Sequence, residues 1–410
     1  MIAIVTLGGF IIGFDAGVIV DGKDQISAAF NLTTFQWSII TSLSVLGALL
    51  TVPFGGKLVD KWGAKTMLIV VALGFAISLF ITAITTNLTQ LVIGRFITGI
   101  CIGIAAFSVP LFISETSPPS IRGGMVLSYC VAITAGQTFS FFAGYLLHDV
   151  SPDSWRIILA IETIAAVCFF IGMIVVPQSP QWRAKTQRIE KTRVISKKIL
   201  PVLLLGMSLA IFQQFVGINA IIYYGPVIFQ AFGFHTVSHA IFATFLIGLV
   251  NLIFTSITAF LVDYMGRRFL LLLGTLMAGA SMLVLAFPYV GLSHRTLSVI
   301  FLMTYIIGYC ISLGSVFWVL IAEIYPCRIR GFAMSLITAL QYTANFIVTI
   351  TFLKLFEMFD NSVTFSLFGG MCLAAFIFIY FYVPETKGVQ LETIESNLNK
   401  GKKTRELGQR

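Results

Sequence analysis

Residues 89–123 read TQLVIGRFITGICIGIAAFSVPLFISETSPPSIRG. The block 89–113 is almost wholly apolar and holds one charge, Arg95. A helix rising about 1.5 Å per residue would carry it across a hydrocarbon core of about 30 Å. The closing SETSPPSIRG is polar and turn-rich, as a short loop between two spans would be. The same alternation runs outward in both directions. It gives blocks near 2–22, 38–59, 66–86, 89–113, 123–147 and 155–176, then 199–230, 238–262, 268–290, 296–325, 332–356 and 363–383. Hydrophobic residues make up 58% of the 410 positions and charged residues 10%, where a soluble domain needs about 25% charged. The sequence predicts an all-α integral membrane protein of twelve transmembrane helices. Its net charge of +9 does not point to nucleic acid, because the basic residues sit in short loops between apolar blocks. The six cysteines, at 101, 130, 168, 310, 327 and 372, lack CxxC spacing and read as buried structural thiols. No metal cluster, cofactor motif or nucleophile constellation stands out, so neither a cofactor nor an enzyme is expected.

An even number of spans puts both termini on one side. Of the 26 basic residues, 21 lie in the loops of that side or in the tail. The positive-inside rule makes that side cytoplasmic, in a plasma (inner) membrane. The two halves then repeat. LVDKWGAK (58–65) matches LVDYMGRR (261–268), SETSPPSIRG (114–123) matches AEIYPCRIRG (322–331), GFDA (13–16) matches GINA (217–220), and PQSP (177–180) precedes PETK (384–387). The offsets stay between 203 and 208 residues, so two six-span units share one orientation, related by an axis along the membrane normal. The expected organisation is an N-terminal six-helix bundle (1–177), a short basic linker (178–198), a C-terminal six-helix bundle (199–384) and a tail (385–410).

The ordered set GFDAGVI, GRFITG, SETSPPSIRG, PQSPQW, FQQFVGINAIIYYGP, DYMGRR, AEIYPCRIRG and PETKG resembles the sugar porters of the major facilitator superfamily over nearly the whole chain. The resemblance implies two pseudo-symmetric bundles with a sugar bound between them. Departures are local. Gln178 and Gln181 stand where the family has Glu and Arg, and Ala64-Lys65 replaces a pair of arginines. Only about 20 residues remain where the family carries a helical cytoplasmic domain.

Three ionisable residues fall well inside spans, where a charge is costly and marks function by default. Asp15, Arg95 and Glu162 each lie about 10 Å below the ends of their spans away from the termini. Beside Arg95 the Asp15 carboxylate is held ionised; apart from it, desolvation favours the neutral acid. A change in their separation could load and release a proton, with Glu162 competing for Arg95. The alternative is a static ion pair between spans 1 and 4. By resemblance, proton-coupled sugar porters carry Asp at this place in span 1, while passive carriers carry an amide.

A sugar needs groups that donate and accept, and an aromatic over a ring face. Span 7 supplies Gln213, Gln214, Asn219, Tyr223 and Tyr224. They do not share one face of a straight helix, and the Gly225-Pro226 step suggests a break that lets them converge. Interhelical hydrogen bonding without a ligand is the alternative. The resemblance adds Asn251, Trp318, Gln341 and Asn345 to the sugar site, with Tyr342 where an aromatic is usual. It places Cys130 where the family has a sugar-binding Gln, and Ser315 where a Pro would break span 10, which predicts a stiffer span. A cytoplasmic gate is expected from Asp60, Glu115, Arg122, Asp263, Arg267, Arg268, Glu323 and Arg330. Asn31-Leu-Thr33 and Asn87-Leu-Thr89 form glycosylation sequons. The sequence thus predicts import of a sugar (hexose, pentose or cyclic polyol) together with a proton by a monomer embedded in lipid. A facilitative uniporter and a non-transporting sugar sensor are the alternatives.

Overall fold

A computed structural model describes the chain except residues 119–120, 148–149, 180–198, 226–227, 230–236, 288–294, 327–328, 359–360 and 410. The linker 180–198, with Gln181, and Cys327 therefore lie outside the described residues. Twelve helices are long and apolar enough to cross a membrane. Spans 1 to 6 are Ile2–Val20, Phe35–Val59, Ala64–Ala83, Leu88–Thr116, Gly123–Leu147 and Ser154–Val175. Spans 7 to 12 are Leu200–Tyr223, Phe242–Met265, Arg267–Leu285, Thr296–Ile324, Arg330–Phe352 and Ser362–Tyr382. Phe54, Ile164, Val175 and Phe260 are exposed on the outside, an apolar surface suited to lipid and not to water.

Two of the sequence's polar signals turn out to be helix caps. Thr33 closes a capping box with Gln36 and starts the helix of span 2 at Thr34, earlier than the apolar pattern suggests. Asn87 accepts from the Gln90 amide at 2.9 Å and starts span 4. Both belong to the sequons noted above.

Within the first half, span 1 packs on spans 5 and 6, and span 4 on spans 2 and 3. Spans 1 and 5 cross at glycines: a Cβ on Gly13 would lie 1.8 Å from the Ile133 carbonyl oxygen, and one on Gly136 would lie 2.0 Å from that of Phe10. Small residues allow this approach where lipid gives no hydrophobic drive between helices. In the second half, span 9 packs on spans 10 and 12, and span 7 on span 11. The halves meet along spans 5 and 8 and along spans 2 and 11. We call the side holding both ends of the chain the terminal face and the other side the far face.

Spans 7 and 10 are broken. Span 7 stops at Phe215 and resumes at Ile218, with Gly217 at φ +94°. The expected break at Gly225-Pro226 falls on Pro226, outside the described residues; this one lies earlier, at Gly217. The freed Val216 carbonyl accepts from the Tyr305 hydroxyl at 2.8 Å, so that group is not stranded. Span 10 is not stiffened by Ser315. It contains a π-helical turn at Cys310–Gly314, and Ser312 leaves helical geometry (φ −125°, ψ −107°). A π-bulge bends a helix without proline.

The cysteine reading needs one correction. Cys101, Cys130, Cys310 and Cys372 are buried, but Cys168 is exposed because its place on span 6 faces outward. The tail folds back as a helix over Leu391–Asn399, where Ile394 and Leu398 are buried. Its Asn397 amide donates to the Leu407 and Gln409 carbonyls at 3.0 and 2.8 Å.

Candidate functional site

A cavity of about 290 Å³ lies between the halves. It reaches from mid-span residues to Val20, Lys23, Asp24 and Trp37 at the far-face ends of spans 1 and 2. Toward the terminal face its floor is aromatic: Tyr129 of span 5 meets Trp318 of span 10 edge-on at 6.0 Å. Trp318 also packs against Phe317 at 5.3 Å.

On the first-half wall, the Arg95 guanidinium grips both carboxylate oxygens of Asp15, with Nη2 to Oδ2 at 3.1 Å. The same Nη2 donates to the Ser44 hydroxyl at 3.0 Å. Both charged residues are only 2% exposed. Glu162 is fully buried and near enough to feel both charges, yet neither of its oxygens has a hydrogen-bond partner among the described residues. The shared depth inferred from the sequence thus corresponds to one cluster. A paired charge in such a place is tolerable, but an unpaired carboxylate there is not.

On the second-half wall, the break at Gly217 brings the span 7 amides together. Asn219 Nδ2 donates to Gln214 Oε1 at 2.6 Å. Gln341 Nε2 of span 11 donates to Gln213 Oε1 at 2.7 Å, and Gln213 Nε2 donates to the Leu313 carbonyl at 3.0 Å. That carbonyl lies in the π-turn of span 10. Asn251 Oδ1 accepts from Thr255 at 3.3 Å and from the Cys310 thiol at 3.0 Å. Asn345 Oδ1 accepts from Thr349 at 3.1 Å, and Asn345 lies beside Tyr223. Tyr224 is used differently: its hydroxyl donates to the Thr349 carbonyl at 3.1 Å and its ring stacks on Phe352. Cys130 lines the cavity, as its register in span 5 requires.

Among the lining residues that escaped the sequence reading are Ser44, Thr134, Gln137 and Tyr309. Gln137 is 5% exposed and falls seven positions after Cys130, two helical turns along the same face. That spacing was the available signal.

The gate residues divide. Arg267 bonds Glu323 at 2.8 and 3.1 Å and Asp263 at 2.9 Å. Glu385, absent from the expected set, accepts from the backbone amides of Arg267 and Arg268 at 3.0 and 3.1 Å; a carboxylate suits a helix start. Arg268 donates to the Tyr380 carbonyl at 2.8 Å, and Lys65, its counterpart in the repeat, donates to Ile174 at 3.1 Å. Arg330 bonds the Tyr325 carbonyl, at 3.2 Å from two nitrogens. Glu115 is half-buried at the end of span 4. The side chains of Asp60 and Arg122 lie outside the described residues.

The family model for "Sugar (and other) transporter" matches the chain twice, over residues 1–202 and 191–398. The chain belongs to the sugar transporter family. This sugar porter is 32% identical to the galactose-proton symporter of Escherichia coli K12, over 98% of this chain and 94% of that one. It is 30% identical to the arabinose-proton symporter of the same strain, over 98% and 93%. Among solved structures it is similar to the major facilitator superfamily proton:xylose symporter XylE bound to 6-bromo-6-deoxy-D-glucose (TM-score 0.85, 27% identity, 99% and 97% covered). It also resembles the inward open conformation of XylE from E. coli (TM-score 0.78, 28% identity, 96% and 98% covered). Like other sugar porters, the chain is a transporter of the major facilitator fold and not an enzyme.

Proposed function

We propose that this sugar porter imports a sugar, whether hexose, pentose or cyclic polyol, together with a proton by alternating access. One observation carries the reading: the buried Asp15–Arg95 pair and the amides Gln213, Gln214, Asn219, Asn251, Gln341 and Asn345 border one cavity. A proton on Asp15 and a sugar on the amides would be carried by the same movement of the halves. The similarity to galactose-, arabinose- and xylose-proton symporters supports it.

Asp15 takes the proton as its contact with Arg95 loosens, since desolvation then favours the neutral acid. Glu162, buried and without a hydrogen-bond partner among the described residues, competes for the guanidinium. Tyr223 and Trp318 cover the sugar's apolar faces, Cys130 bounds it from span 5, and the gate residues close the terminal face. The bundles 1–177 and 199–384 move against each other, with both termini in the cytoplasm by the positive-inside count and the plasma membrane as the site. Membrane potential adds about 2.3 kcal/mol per imported charge per 100 mV. The facilitated trehalose transporter of Bombyx mori, 29% identical, keeps passive uniport as a second reading.

Uptake of labelled sugars into proteoliposomes, with and without an inward proton gradient, tests the proposal. Asp15→Asn should abolish uphill accumulation while sparing binding and exchange, because an amide resembles the neutral acid. Accumulation at the parental level in that variant would overturn the proton-coupled reading in favour of uniport.

A further inference from the structure

A guanidinium carries five N–H donors, more than one carboxylate can accept. Asp15 takes donors from Nη1 and Nη2 of Arg95, and Nη2 is shared with Ser44. Nε has no partner among the described residues. Ser44 is 7% exposed and lines the cavity from span 2. It reaches Arg95 because spans 2 and 4 approach closely at Gly99, where a Cβ would lie 2.3 Å from the Ser44 carbonyl oxygen. The other ionisable groups facing the pair are Glu162 of span 6, Tyr223 of span 7 and Tyr342 of span 11.

We propose that Ser44 is a positioning residue for Arg95, a neutral acceptor from span 2 that keeps the guanidinium seated while Asp15 is protonated. This role rests on the proton-coupled reading above. When Asp15 accepts a proton its charge-assisted bonds weaken, yet the buried guanidinium still needs acceptors. Ser44 supplies one that takes more of the guanidinium as the carboxylate lets go, and so favours the protonated state. Without it, Arg95 depends more on the carboxylate, and a higher proton concentration is needed to break the pair. Ser44 shares span 2 with a contact between the halves. Farther along span 2, a Cβ on Gly56 would lie 2.5 Å from the Ser335 hydroxyl of span 11.

The test uses the purified full chain in proteoliposomes and whichever of labelled D-galactose, L-arabinose or D-xylose the parent accumulates. Ser44→Ala and Ser44→Val remove the hydroxyl; Ser44→Thr keeps it, with Val as its control for size. In the Ala and Val variants the external pH giving half-maximal proton-driven uptake should move about one unit more acidic, the weight of one bond to a charged group. The Thr variant should return to the parental profile. If Val does not insert, Ala and Thr decide the matter. An unchanged profile in Ala overturns the role, and so does a Thr variant displaced as far as Ala or Val, since crowding alone would then explain the shift. Asp15→Asn, run alongside, separates the two readings. If it loses accumulation while Ser44→Ala keeps the parental profile, only the role of Ser44 falls.

Discussion

Gln213 and Gln214 are neighbours in sequence with different employment. Gln213 is committed to the protein at both ends, accepting from Gln341 and donating to Leu313. Among the described residues Gln214 accepts from Asn219 alone, which leaves its amide donors toward the cavity, and Gln341 Oε1 is buried with no partner among them. Gln214→Ala should therefore raise the apparent Kd for sugar roughly tenfold or more, because partner groups lose their pairing, with little change in melting temperature. Gln213→Ala should lower the melting temperature as well, since it strands a carbonyl and an amide. Isothermal binding and thermal unfolding, measured on both variants, separate the roles; equal thermal losses would contradict them. Cys130→Gln should change the ranking of sugars in a competition panel, and an unchanged ranking would remove Cys130 from the ligand contacts. At this scale the sequence was informative about depth, because helical rise converts residue number into height. It was silent about azimuth in the bundle, so Asp15, Arg95 and Glu162 could be grouped while Ser44 and Gln137 could not.

The two broken spans explain how residues scattered around a helix face one cavity. Gly217 turns span 7 at positive φ, and a Cβ there would lie 2.6 Å from the Phe368 ring. Gly217→Ala combines left-handed strain of about 1–2 kcal/mol with a steric collision. It should lower the melting temperature clearly and cut sugar binding more than exposed substitutions do. Adding Phe368→Ala should relieve the collision but not the strain, giving partial recovery of binding. Full recovery, or none, would mean the turn is not what aligns the amides. The sequence reading placed a break only at Gly225-Pro226, where Pro226 lies outside the described residues, and did not single out Gly217. What decides is tertiary: Tyr305 satisfies the carbonyl freed at Val216. The π-turn of span 10 was also illegible, since replacing proline by Ser315 removes the visible breaker. The Leu313 carbonyl within that turn accepts from Gln213.

At the scale of the whole molecule, closure of the terminal face rests unevenly on the two halves. The repeat aligns Ala64 with Arg267, so the first half lacks the guanidinium around which the second half's latch is built. Arg267, with a side chain 5% exposed, holds Glu323 (12%) and Asp263 (38%). These exposures decide which carboxylate matters. A pair open to water contributes about 0–1 kcal/mol, whereas breaking a buried one is strongly destabilising. Glu323 also accepts from Thr386 at 2.7 Å, which ties the latch to the PETK turn. Glu323→Gln should therefore open the terminal face far more than Asp263→Asn. Ser335→Cys, placed where spans 2 and 11 meet, reports the opening through its reactivity with a membrane-impermeant maleimide, with the exposed Cys168 replaced by Ala. Glu323→Gln should raise the labelling rate about tenfold, the effect of about 1.4 kcal/mol, and Asp263→Asn by less than about threefold. A saturating sugar that favours the far-facing state should reverse part of the increase, as population shift requires. If the two variants label at equal rates, the buried Arg267–Glu323 pair is not what holds the face shut, and closure must come from the packing of spans 5 and 8.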